Sequence, residues 1–164
     1  MISRIINNPK RFDLVINSMI KLPDFILNIY GEGPDISKIK KLIIKNNLKN
    51  VFLKGSTTKI LETLDENGIY VMTSDNEGYG ISNIEAMRRG LPIILRNTFE
   101  AAQDIVKDNG VLLDSEWSEE EFVRGVRQIY HNYEFYSKNS INLAQRYDFN
   151  KIKKQWEFLI NKLS

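Results

Sequence analysis

Glu77-Gly78-Tyr79-Gly80-Ile81-Ser82-Asn83-Ile84-Glu85-Ala86-Met87 is the stretch on which the reading of this chain turns. Its two glutamates stand eight positions apart, separated by a glycine-bracketed loop and the opening of a helix. Upstream, Ile69-Tyr70-Val71-Met72-Thr73 is apolar and β-branched and is cut off by polar Ser74-Asp75-Asn76, the pattern of a buried strand. Downstream, Ile81, Ile84, Ala86, Met87 and Leu91 predict a helical apolar face that Gly90 terminates. The glutamates therefore bracket a strand-to-helix turn, the place where ligands bind in open α/β sheets. Gly78 and Gly80 allow a ligand close to the backbone, and the free amides of a helix start attract an anion. A phosphate fits there, and a carboxylate at each end suits the hydroxyls of a sugar.

Outward from this turn, strands and helices alternate along the chain. Strands are expected at Met1 to Ile6, Phe25 to Tyr30, Val51 to Lys54, Ile69 to Thr73, Pro92 to Leu95 and Val111 to Leu113. Between them, helices are expected around Lys10 to Lys21, Ile36 to Asn46, Thr58 to Asn67 and Ala101 to Val106, besides the one that carries Glu85. After Ser118 the pattern turns helical, with Glu119 to Asn132, Glu134 to Gln145 and Phe149 to Leu163. Such alternation predicts an α/β fold, a doubly wound parallel sheet of about six strands (Rossmann-like) with a helical C-terminal tail. Residues 1–164 read as one domain, 1–115 forming the sheet core and 116–164 the C-terminal helices.

Composition narrows the function classes. The chain has 164 residues, 42% of them apolar, which is enough for a sizeable core. A net charge of +2 calls for no nucleic acid, and the absence of cysteine excludes disulfides, cysteine-based zinc sites and a thiol nucleophile. No run of about eighteen apolar residues and no signal-peptide pattern is present, so a soluble, cytoplasmic domain is expected. His131, the single histidine, falls late in a C-terminal helix and reads as a surface residue rather than an acid-base group.

Framed by its strand, by E-G-Y-G and E-A-M, and by the closing Arg89-Gly90-Leu91-Pro92-Ile93-Ile94, the central stretch resembles the E-x7-E motif of the retaining family 4 glycosyltransferases, whose fold is called GT-B. The resemblance implies that Glu77 contacts hydroxyls of the transferred sugar and Glu85 the ribose of the nucleotide. The amides of Tyr79, Gly80 and Ile81, next to Gly78, would face the diphosphate. The family's second domain opens with a strand ending in an arginine, with a lysine six positions later, and Arg4 and Lys10 stand at that spacing. They would neutralise a diphosphate and stabilise the charge growing on a leaving group. Arg11 follows Lys10 directly, so either cation could reach the phosphate.

Gly31-Glu32-Gly33-Pro34 resembles the family's G-x-G-P turn, and Val51 to Gly55 its V-x-F-x-G segment. The resemblance puts Ser56 and Thr57 near the nucleobase, although a plain turn explains the glycines equally well. Glu100-Ala101-Ala102-Gln103-Asp104 departs from the glycine pair and Pro-Glu common in the family, leaving a bulkier loop in which Asp104 would replace the glutamate. No D-x-D motif stands at a strand end, in keeping with the family's metal-independent chemistry, so neither a metal nor a cofactor is expected. Asp75 reads only as a loop turn.

What the resemblance implies overall is the donor half of a two-domain enzyme. This chain would bind a nucleotide-diphosphate sugar, UDP-sugar favoured, while an N-terminal acceptor-binding domain outside residues 1–164 would be its partner. Its role would lie in polysaccharide, glycolipid or glycoprotein synthesis, and the chain would be inactive alone. A stand-alone nucleotide- or phospho-ligand-binding module without catalysis is the alternative. Ile152, Trp156, Leu159, Ile160 and Leu163 share one face of the last helix, which packs either on its own domain or, as in the family, on the first domain. The Lys38 to Lys45 and Lys151 to Lys154 runs are solvated faces, or a peripheral contact with an anionic membrane.

Overall fold

The computed structural model describes the main chain of residues 1–163 and the side chains of residues 1–162. Five short parallel strands carry the fold: β1 (Leu27–Tyr30), β2 (Val51–Gly55), β3 (Tyr70–Met72), β4 (Ile93–Arg96) and β5 (Gly110–Leu113). Around them lie α1 (Asn7–Lys10), α2 (Phe12–Ser18), α3 (Ile36–Lys45), α4 (Ile60–Asp65), α5 (Ile81–Arg88), α6 (Ala102–Ile105), α7 (Glu119–His131), α8 (Tyr133–Ala144) and α9 (Phe149–Leu163). The strands form a two-stranded sheet, β1-β2, and a three-stranded sheet, β3-β4-β5.

The doubly wound character shows in how alternate residues part to the two faces. Val71, Ile94 and Leu113 enter a core with Phe12, Ile16, Ile39 and Phe122, from α2, α3 and α7. Their neighbours Tyr70, Met72, Ile93 and Leu95 enter a second core with Leu64, Ala86, Met87, Ile105 and Ala144, from α4, α5, α6 and α8. β4 is buried along its whole length, as its unbroken apolar run requires of a central strand.

Three expectations need correction. Met1 to Ile6 is not a full strand: the segment makes a single bridge, Ile2 to Tyr30, so the expected sheet of about six strands is divided into two. Ser3 and Ile5 donate to the carbonyls of Tyr30 and Glu32, but on the β3 side Ile2 O is met by the Tyr70 hydroxyl, at 3.2 Å, rather than by main chain. The helix expected from Lys10 to Lys21 is broken at Arg11, which adopts the left-handed conformation (φ 52°, ψ 47°) between α1 and α2. Finally, of the two packings open to α9, burial on its own domain is not seen among the described residues. Trp156 is 60% exposed, and Phe149, Leu159 and Ile160 are exposed beside it, while Leu163 has its side chain outside the described residues.

Gly31 and Gly33 owe their place to packing. A Cβ on Gly31 would stand 1.9 Å from Ser3 O, and one on Gly33 would stand 2.2 Å from Ile5 O. The turn after β1 is glycine-rich because the opening segment lies directly against it.

Candidate functional site

Within each sheet the strands run parallel, so the loops leaving their C-terminal ends gather along one edge of that sheet. The turn after β3, Thr73 to Gly80, is the centre of that edge. Gly80 is left-handed (φ 71°, ψ 47°) and starts α5, and a Cβ there would come within 2.7 Å of Asn83 Nδ2. Asn83 is buried under the turn, its amide donating to Gly80 O at 3.1 Å. The amides of Tyr79, Gly80, Ile81 and Ser82 find no acceptor among the described residues, so they present donors and the positive end of the helix dipole to the edge.

Lys10 comes to this turn from 67 residues away in sequence, its Nζ 2.5 Å from Glu77 Oε1. Both side chains are largely covered, Lys10 at 25% and Glu77 at 14% exposure, which strengthens the pair over a surface one. Two further links fix the approach. The Asp75 amide donates to Pro9 O at 2.8 Å, and the buried Thr73 hydroxyl donates towards Arg11 O at 3.0 Å and Lys10 O at 3.2 Å. Arg4 lies exposed, with no ion-pair partner among the described residues. Arg11 pairs instead with Asp13, at 3.2 Å, and with Asp75, at 3.4 Å. Of the two adjacent cations, Lys10 is therefore the one at the glutamate turn.

Glu85 sits half-buried on α5 and makes no ion pair among the described residues. Beneath it, burial pushes the Tyr70 phenol up to about 12, with the charges of Glu85 and Glu77 adding to the effect. Ile81 was expected on the apolar face of α5 but is 67% exposed at the first position of the helix. Gly78 and Tyr79 are exposed on the same loop, and the Tyr79 ring stands edge-on to Tyr147, centroids 6.1 Å apart. Thr57 lies after β2, its hydroxyl 3.1 Å from that of Thr63 and accepting from the Lys59 amide in the turn that leads to α4. In the departing loop after β4, Ala101 and Ala102 are buried in the core while Asp104 points to solvent, near Lys107.

Sequence reasoning missed Arg96. This residue ends β4 at 6% exposure, its Nη1 bound to Thr73 O at 2.9 Å and to Asp75 Oδ1 at 2.6 Å, its Nη2 to Ser115 O at 2.5 Å. The signal was available: a lone arginine closing an otherwise apolar strand has to find acceptors at the sheet edge. Asp75, read as a loop turn, is the carboxylate it finds. Burial pushes the Asp75 carboxyl up, yet the hydrogen bond from Arg96 and the charge of Arg11 outweigh this and hold it below the usual carboxylate range.

A helix start with unpaired amides, the Lys10–Glu77 pair and a second glutamate, Glu85, thus stand together on one Rossmann-like edge. The chain belongs to the glycosyl transferases group 1 family, whose profile matches residues 1–146. It is 34% identical over 163 residues to poly(ribitol-phosphate) alpha-N-acetylglucosaminyltransferase of Staphylococcus aureus (strain COL), covering 93% of this chain and 33% of that protein. Against poly(glycerol-phosphate) alpha-glucosyltransferase of Bacillus subtilis (strain 168) it is 28% identical over 165 residues, covering 97% of this chain and 24% of the relative. The chain thus spans a third or less of the length of these two relatives. Among solved structures, TarM superposes with a TM-score of 0.86 at 30% identity, over 98% of this chain and 34% of TarM.

Proposed function

We propose that this chain binds a nucleoside-diphosphate sugar, with UDP-sugar the favoured donor, as the donor half of a retaining glycosyltransferase. The observation that carries the reading is Lys10 at 2.5 Å from Glu77, beside the unpaired amides that open α5. Without ligand, the cation and the carboxylate neutralise each other. A diphosphate at the helix start would draw Lys10 to itself and release Glu77 to accept hydrogen bonds from sugar hydroxyls, while Glu85 would accept from the ribose. Arg4, exposed and without an ion-pair partner among the described residues, would supply a second cation. In transfer, these cations would stabilise the charge developing on the departing diphosphate. The proposed chemistry uses no metal.

Two relatives support the donor class through their names, a glucosyltransferase and an N-acetylglucosaminyltransferase. A TarM variant solved with fondaparinux, alpha-GlcNAc-glycerol and UDP is 29% identical over 98% of this chain, at a TM-score of 0.84. Both relatives are named for poly(alditol-phosphate) substrates, which favours a surface-polymer acceptor for the whole protein. Because they are three to four times longer than the matched region, acceptor positioning is assigned to residues outside 1–164. Among the described residues no helix is long and apolar enough to cross a membrane. Peripheral contact with an anionic membrane remains a role for the Lys151 to Lys154 face of α9, where these residues are exposed.

Calorimetry with UDP, GDP and ADP, in the presence of a chelator, tests the reading. Binding of UDP in the millimolar range or tighter is the expected result, and silence with all three nucleotides would sink it. If binding occurs, acceptor-dependent turnover separates the enzyme from a pure binding module: it is expected for the two-domain protein and not for residues 1–164 alone, because transfer needs the acceptor hydroxyl held at the anomeric carbon.

A further inference from the structure

Asp75 and Arg96 have no place in the proposed chemistry, yet they form an ion pair at the strand edge whose arginine is buried. An arginine that is 6% exposed costs several kcal/mol to desolvate, a cost its contacts have to offset. Here its fork joins two strand ends: Thr73 O and the Asp75 carboxylate after β3, and Ser115 O after β5. This fixes the orientation of Asp75. The Asp75 main chain in turn grips Pro9 O at 2.8 Å, and its carboxylate draws Arg11 Nη1 to 3.4 Å.

The residue so gripped is strained. Arg11 holds φ 52°, a conformation that costs a non-glycine residue on the order of 1 kcal/mol or more and persists only where its surroundings impose it. This bend turns the chain so that Lys10 faces Glu77 while Arg11 faces Asp75.

We infer that Asp75 and Arg96 are a positioning pair for the donor site: they clamp the Pro9–Arg11 bend onto the end of β3 and so hold Lys10 over the Glu77 turn. The inference rests on the proposed donor reading. Neither residue touches the donor; their effect on binding passes through Lys10.

The test combines Asp75→Asn, which keeps the shape and removes the charge, with Lys10→Met. UDP affinity is measured by calorimetry for the wild-type chain, both single variants and the double variant. Asp75→Asn is expected to weaken UDP by about tenfold, the scale of a misplaced charge-assisted hydrogen bond. It should cost nothing further once Lys10 is already Met, because residues acting through one contact are not additive. A general loosening of the fold would instead add in full to Lys10→Met. Asp75→Glu, which restores the carboxylate, should recover most of the affinity. A ligand-free crystal structure of Asp75→Asn should show the Lys10–Glu77 pair opened beyond salt-bridge distance. If the wild-type chain binds UDP and Asp75→Asn binds it equally well, or the two effects add, the positioning role is overturned while the donor reading stands. If no form binds UDP, the donor reading falls, and an unchanged Lys10–Glu77 pair in the variant crystal would overturn the clamp as well.

Discussion

Single residues divide the labour at this site by what each can exchange. Glu77 is already paired with Lys10, whereas Glu85 has no cation partner among the described residues. Glu85→Ala should therefore weaken free UDP and UDP-sugar alike, by about 1 to 3 kcal/mol for a lost charge-assisted hydrogen bond. Glu77→Ala should spare free UDP, since it releases Lys10 to the phosphate, and should weaken binding only when the sugar is attached. Calorimetry with both ligands separates the two; equal loss of free UDP in both folded variants would overturn the division of roles. The residue scale also shows where the sequence was silent. The E-x7-E stretch was legible because turn, glycines and helix lie within a dozen positions. The partnership of Lys10 with Glu77, and the grip of Arg96 on Asp75, span 67 and 21 positions and depend on which strands lie side by side.

Among the elements, those best foreseen are the ones whose local pattern and burial agree. β4 and the strand-to-helix turn into α5 fall within a residue or two of expectation, as does α7, whose Ser118 side chain accepts from the Glu121 amide as an N-cap should. The elements that differ were settled by neighbours. Met1 to Ile6 has strand-like residues but lacks main-chain pairing on its β3 side, so it stays a single bridge. Gly33, which looked like a turn former, proves to be a contact point, and Gly110 is another. Gly110→Ala would place a Cβ 1.9 Å from Ile93 O, inside the β4–β5 ladder, and Gly33→Ala one 2.2 Å from Ile5 O. Each should destabilise the fold by more than about 2 kcal/mol, since backbone rather than a mobile side chain must move. Gly78→Ala, with open space around it, should change stability by less than about 0.5 kcal/mol. Urea unfolding of the three variants checks the order.

At the scale of the whole molecule, the edge opposite the site carries its own electrostatic consequence. With residue 1 as a free terminus, the Met1 ammonium donates to Asn28 O at 3.0 Å, and burial lowers it from 8.0 to about 5. It lines a cavity of about 580 Å3 among Leu22, Phe25, Val71, Phe122 and Tyr133, where a charge is poorly solvated. Between pH 5 and 8 the unfolded chain then holds a proton that the folded chain has released, so stability should rise with pH across that window. Below about pH 5 both states are protonated and this contribution to the slope disappears. Thermal melts at intervals from pH 4.5 to 8.5 should show the rise in a chain with a free Met1 amine, and acetylation of that amine should flatten it. A slope that survives acetylation would assign it to other groups.

The sequence by itself determined the class of fold, the strand order along the chain and the loop that carries the glutamates. Each of these is written in short-range periodicity, in glycines at turns and in apolar runs long enough to name a buried strand. Only the tertiary structure decided that the sheet is divided, that α9 stands with its apolar face uncovered, and that Lys10 rather than Arg11 reaches the glutamate turn. Those outcomes depend on side-by-side placement of distant segments and on the bend at Arg11. No local pattern encodes them, because a charged side chain takes its partner from whatever the fold brings within a few ångströms.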